Sequence, residues 1–202
     1  MVRSIGVAML FAVAIAACSG PPAATAPSSG SLGWQDTLTG APDKLDVATT
    51  VAPISSIARN IGGRLIRLRG VIPDATNSHM FEPAPSDAQT LVAADLIILN
   101  GLHLEEPTLD LAAATKRPDA EIKLLGEATI GADEWLFDFS FPESAGDPNP
   151  HLWMNVRYAR RYAELIRDWF SAADPVNRDT YKANFEAYAA RLDDLDASIS
   201  RA

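Results

Sequence analysis

The chain has 202 residues, 48% of them apolar and 21% charged, with a formal net charge of −9. An acidic surface argues against a nucleic-acid partner and suits either plain solubility or a cationic ligand. One cysteine leaves no partner for a disulfide within the chain.

Residues 1–17 begin with one positive side chain, Arg3, followed by an uncharged, mostly apolar run from Ile5 to Ala17. That run is shorter than the roughly 20 apolar residues a spanning helix needs, and it fits the core of an export signal. It closes on Ile15-Ala16-Ala17-Cys18, which resembles the cleavage box of bacterial lipoproteins. Residues 1–17 therefore read as a lipoprotein signal peptide and Cys18 as the lipid-bearing residue. A thiol without a partner in an exported chain needs some such explanation. With no second apolar run, the mature chain is expected outside the cytoplasm, anchored by lipid to the outer face of the cell membrane or periplasmic. Loss of Arg3 with the signal takes the formal charge to −10.

Residues 18–42 are rich in Pro, Ala, Ser, Thr and Gly. They bury too little apolar surface to offset their ordering entropy, so they read as a disordered tether, with Trp34 and Leu38 as exceptions able to dock on the body. About 160 residues then remain, enough for one domain with a real core.

From Leu45 the signals alternate. Residues 45–51 form a β-branched run, followed by Ile54, Ile57, Ala58 and Ile61 at helical spacing and by Gly62-Gly63 as a stop. Residues 65–72 predict a second strand with Arg67 and Arg69 on one face. A helix is predicted from about Ser86 to Ala94, and a continuous apolar strand over 95–100 suits a sheet covered on both sides. A short helix over 105–115 and a fourth strand over 121–125 follow. Strand, helix, strand with short connections is the pattern of a parallel sheet, so the expected class is α/β, four parallel strands flanked by helices. Residues 126–150 are long and irregular, with Trp135, Phe137, Phe139 and Phe141 alternating as in a short strand or a cover packed on the body. A helix follows with Val156, Ala159, Tyr162, Ala163, Ile166 and Phe170 on one face. Asp174-Pro175 opens a last one, striped by Tyr181, Phe185, Tyr188, Leu192 and Leu195. That stripe reaches the last residues with no capping glycine or proline, so the chain is expected to stop within a long helix.

Two of the three histidines sit in proline-stiffened loops: His79 in the segment 77–87 and His151 in the segment 147–155. Ligands of a parallel sheet gather beyond the carboxyl ends of its strands, the side both loops occupy. Neutral imidazole suits zinc, manganese, iron, nickel or copper, and a loop stiffened in advance loses less freedom on binding.

The segments 73–87, 94–105 and 147–155 together resemble the substrate-binding lipoproteins of bacterial ABC importers for zinc and manganese, a family that includes proteins described as adhesins. The resemblance runs from about Leu45 to the end. It implies that His79 and His151 are the first two metal ligands, and that His103 stands where the family does not usually place a ligand. It also implies two lobes joined by one long helix, with a histidine or glutamate and then an aspartate supplied by the second lobe. On that reading residues 43–172 are the N-terminal lobe and 173–202 the start of the linking helix, with the second lobe absent. The implied activity is extracytoplasmic capture of a divalent transition metal, zinc or manganese, for delivery to the ABC permease, in a truncated form. An adhesion or interaction lipoprotein with a vestigial metal site is the alternative. No His-Glu-x-x-His or comparable signature is present, so the chain is not read as an enzyme. Glu82, Glu143 and Asp147 are near the histidines in sequence but are not assigned as ligands. Protons compete for imidazole, so binding is expected to weaken below roughly pH 6.

Overall fold

The computed structural model describes residues 35–202. The expected signal peptide, the lipidation residue Cys18, Trp34 and the tether up to residue 34 lie outside the described residues. Four parallel strands, β1 (Leu45–Thr49), β2 (Ile66–Gly70), β3 (Leu96–Leu99) and β4 (Glu121–Leu124), form a sheet in the order β2-β1-β3-β4. Successive strands are linked through α1 (Ala52–Gly62), α2 (Pro85–Ala93) and α3 (Glu106–Thr115). After β4 come a short α4 (Leu125–Thr129), then α5 (Val156–Ala173) and the long α6 (Arg178–Ile199). This is the α/β architecture expected.

Alternation along the strands explains the two layers of helix. Val47 of β1, Ile66 and Leu68 of β2, and Leu96 and Ile98 of β3 enter the larger core, with Ile54, Ile57 and Ile61 of α1. Tyr162, Ile166 and Phe170 of α5 and Tyr181 and Phe185 of α6 complete it. The opposite faces of the same strands, Ala48, Ile97 and Leu99, meet Leu91 of α2 and Ala112 of α3 in a smaller core. A period of two on the strands thus sends neighbouring residues to opposite layers. The fully apolar β3 is central because both its faces are covered.

Arg67 of β2 lies on the second face beside its register partner Asp46. The Arg67 guanidinium reaches Asp46 at 2.5 Å and the exposed Asp43 at 2.7 Å. Asp46 is fully buried and also accepts from the backbone of Gly40 at 2.6 Å and Thr39 at 3.2 Å. A buried carboxylate is tolerable only when its lone pairs are filled in this way.

Those donors belong to a segment expected to be tether. Asp36 N–H donates to Leu68 O at 2.8 Å, and its carboxylate accepts from Leu68 N at 3.0 Å and Arg59 at 2.5 Å. Leu38 packs against the smaller core. Residues 36–40 thus hold to the body, although they fall within the stretch expected as tether. The physical reason is the open edge of β2, whose peptide groups need partners.

Residues 126–150 also differ from expectation in one respect. Beyond α4 they run through short 3-10 turns at Ala132–Glu134 and Glu143–Ala145, and the alternating aromatics form no strand. Asp138 instead bends the chain, its Oδ1 accepting from the backbone of Ser140 at 2.8 Å and Phe141 at 3.1 Å. Trp135 packs on the larger core, whereas Phe139 is 97% exposed. Among the described residues no helix is long and apolar enough to cross a membrane.

Candidate metal centre

His79 leaves the sheet on the loop after β2. Asn77 Oδ1 accepts its N–H at 3.1 Å and starts the 3-10 turn Ser78–Met80. A few residues on, Asp87 accepts the N–H of Ala84 at 2.8 Å and fixes the start of α2. The imidazole is therefore carried by a short loop pinned at both ends, and it is exposed.

His151 comes from the far end of the irregular segment. Leu152, buried in the larger core, anchors the 3-10 turn Leu152–Met154 that follows it. Asn100, fully buried after β3, donates from Nδ2 to Pro150 O at 2.9 Å and accepts the Tyr162 hydroxyl at 2.8 Å. A buried amide satisfied on both sides is costly to disturb. It locks the residue before the histidine to both β3 and α5.

The two loops bring the rings together. His79 Nε2 and His151 Nε2 are 3.3 Å apart, with ring centroids at 5.2 Å and planes inclined by 53°. Two nitrogens each about 2.1 Å from a common ion, at a tetrahedral angle, stand about 3.4 Å apart. The pair is therefore spaced to share one cation. Asn149 Oδ1 accepts from both the backbone N–H of His151 at 2.9 Å and its ring Nδ1 at 3.0 Å. An amide oxygen can only accept, so Nδ1 carries the hydrogen and Nε2 keeps its lone pair towards His79. Any proton between the rings then belongs to His79, and an ion bound by both takes its place. Burial, and then the nearby His79, hold the His151 pKa below the ordinary imidazole value, which favours the neutral ligand form.

Phe141 lies against both rings, at 5.7 Å from His79 and 5.5 Å from His151, and Trp153 meets His151 edge-on at 5.2 Å. A cavity of about 230 Å³ beside His79 is lined by Leu102, His103, Phe141 and Asp147, among others. His103 does not join the imidazole pair. Its Nδ1 is 2.6 Å from Glu106 and its ring meets Trp135 edge-on at 6.0 Å. Among the described residues no group of three or more His, Cys, Asp or Glu is arranged to hold a metal ion. Glu82, Glu143 and Asp147 thus add no such group. Neither Asn149 nor Asn100 stands out as a site residue in the sequence, and Phe141 does so only as one of four alternating aromatics. For Asn149 a signal existed, a hydrogen-bonding residue two before a histidine.

Residues 47–202 match the family described as zinc-uptake complex component A, periplasmic. The chain belongs to that family. It is 34% identical over 166 residues to the metal ABC transporter substrate-binding lipoprotein FimA of Streptococcus parasanguinis, covering 81% of this chain and 53% of that protein. It is 33% identical over 162 residues to the manganese ABC transporter substrate-binding lipoprotein PsaA of Streptococcus pneumoniae, covering 79% and 52%. Among solved structures, the periplasmic zinc-binding protein TroA of Treponema pallidum superposes with a TM-score of 0.69 at 25% identity, over 78% of this chain and 55% of that one. The chain thus spans about half the length of the zinc-uptake family relatives it matches.

Proposed function

We propose that this chain captures a divalent transition metal outside the cytoplasm, through His79 and His151, for delivery to an ABC permease. The observation that carries the reading is the 3.3 Å separation of two Nε2 atoms from loops far apart in sequence. Support comes also from the zinc-uptake family match and from relatives named as metal ABC transporter substrate-binding lipoproteins. The metal is cargo here, and the protein's task is binding and release rather than catalysis. Lipidation at Cys18 would hold the chain at the outer face of the membrane, in keeping with the lipoprotein names of those relatives. An imidazole pair suits zinc, and manganese would call for oxygen donors in the remaining positions. Two imidazoles fill half of a four-coordinate shell, so the remaining donors would come from the partner lobe of a longer form, from water, or from another chain. Delivery implies docking to the permease with the imidazole face accessible.

The test is a thermal unfolding series with zinc or manganese. The expected result is stabilisation that disappears in the His79→Ala/His151→Ala double variant. A shift that survives in the double variant removes both histidines from the site. A folded chain that shows no shift at any concentration favours the adhesion reading.

A further inference from the structure

We infer that Asp138 and Asn149 form a two-step relay that sets the tautomer and direction of His151, and that the polarity of this relay tunes the histidine as a ligand. The inference deepens the metal reading above and rests on it for its consequence, though not for its geometry. Asn149 Nδ2 donates to Asp138 Oδ2 at 2.7 Å, while Asn149 Oδ1 takes the two N–H groups of His151. The amide can satisfy all three contacts in one orientation only, because the Asp138 carboxylate accepts and the His151 backbone N–H donates. Asp138 is itself held: its Oδ1 accepts from Ser140 and Phe141, and its own N–H donates to Phe141 O at 2.9 Å. Asn149 N–H donates to Leu136 O at 2.7 Å, which ties the two arms of the loop together. The carboxylate therefore cannot swing away without breaking the turn that lays Phe141 on the two imidazoles. Both residues are positioning residues, since neither reaches the Nε2 atoms. The negative charge sits one residue removed from the ring, so the push on imidazole basicity is relayed through a polarised amide and is weaker than a direct carboxylate contact.

Reversing the polarity is the sharp test. In the Asp138→Asn/Asn149→Asp variant, the new amide at position 138 would still accept from Ser140 and Phe141. It would donate to the new carboxylate at position 149, which would accept from His151. Either single substitution instead opposes like groups, carboxylate to carboxylate or amide to amide. The chain has three histidines, so long-range proton–nitrogen correlation spectra of histidine-labelled protein resolve each ring. The His103 ring, paired with Glu106, reports that the fold is intact. The wild type and the double variant are expected to hold His151 as the Nδ1–H tautomer, whereas Asn149→Leu shifts it towards Nε2–H. Titration with zinc chloride should show affinity about 10- to 100-fold weaker in each single variant and in Asn149→Leu. The double variant should bind as well as the wild type or better. A double variant no better than the single ones, or an unchanged His151 tautomer in Asn149→Leu, overturns the relay. The tautomer measurement needs no metal. A wild type that binds no zinc would overturn the metal reading, while the spectra still decide the relay.

Discussion

Glu105 shows how one residue outside the imidazole pair shapes the chain's response to pH. It is buried, accepts the Thr50 hydroxyl at 2.6 Å and the Asn100 N–H at 2.7 Å, and has the N–H of Gly101 at 3.3 Å. Burial outweighs these donors and pushes its carboxyl up to about 7, from 4.5 in a free side chain. The folded chain therefore keeps a proton that the unfolded chain releases as pH rises from about 4.5 to 7. Stability from this group is full below that window, falls across it by an amount on the order of 3 kcal/mol, and is level above it. Asp36, Asp43 and Asp138 have lowered values and act in the opposite sense below their ordinary value of 3.8, whereas His151, lowered from 6.5, acts in the opposite sense within the Glu105 window and offsets part of its decline. Glu105→Gln is expected to flatten the decline, read as urea midpoints at pH 5 and pH 7.5. A decline of equal size in the variant would assign it to other groups. Next to Glu105, Gly101 has φ +78°, a backbone setting that strains any residue with a Cβ, and an added Cβ would also displace the Glu127 carboxylate.

At the scale of elements, what could be read from sequence follows a physical boundary. Strands β1 to β4, α1 and α5 declare themselves by local periodicity, and both histidine loops by their prolines. Contacts between residues far apart in sequence leave no such trace. Asp36 on the edge of β2, Asn100 on Pro150 and Phe141 on the histidines are of that kind, because local pattern can place a residue in a strand or a loop but cannot name its distant partner. The Tyr162 hydroxyl of α5 is one of these long-range partners, 62 positions from Asn100. Tyr162→Phe leaves the Asn100 amide oxygen buried without its donor and is expected to cost about 1–3 kcal/mol in denaturant unfolding. A loss below a few tenths of a kcal/mol would mean the amide finds another donor. Along α6, exposure rises with residue number: Tyr181 and Phe185 are buried, whereas Leu195 and Ile199 are 47% and 58% exposed. The stripe read as one face in sequence is thus two regions energetically. Phe185→Ala, which also removes the ring under the Arg167 guanidinium at 4.6 Å, should cost about 3–5 kcal/mol. Leu195→Asp should stay within about 0.5 kcal/mol. Comparable losses from both would show that the end of α6 is packed in solution.

For the molecule as a whole, the fold brings two imidazoles within 3.3 Å, and on the proposal that they hold a metal ion this sets how metal should register in stability. A ligand that binds only the folded chain stabilises it by RT ln(1 + [L]/Kd), so each tenfold rise above Kd adds about 1.4 kcal/mol. For a body of this size that corresponds to roughly 3–6 °C per decade of free zinc. The slope is the same for a strong or a weak site. What the number of donors changes is the concentration at which the rise begins. Removing His79 or His151 alone leaves one imidazole, so the onset should move to at least about tenfold higher zinc with the slope retained. His103→Ala should leave the onset where it was, because that ring is engaged with Glu106 and Trp135 rather than with the pair. An onset that moves as far for His103 as for His79 would mean that all three rings reach the ion, and the loop after β3 would then have to close on the other two.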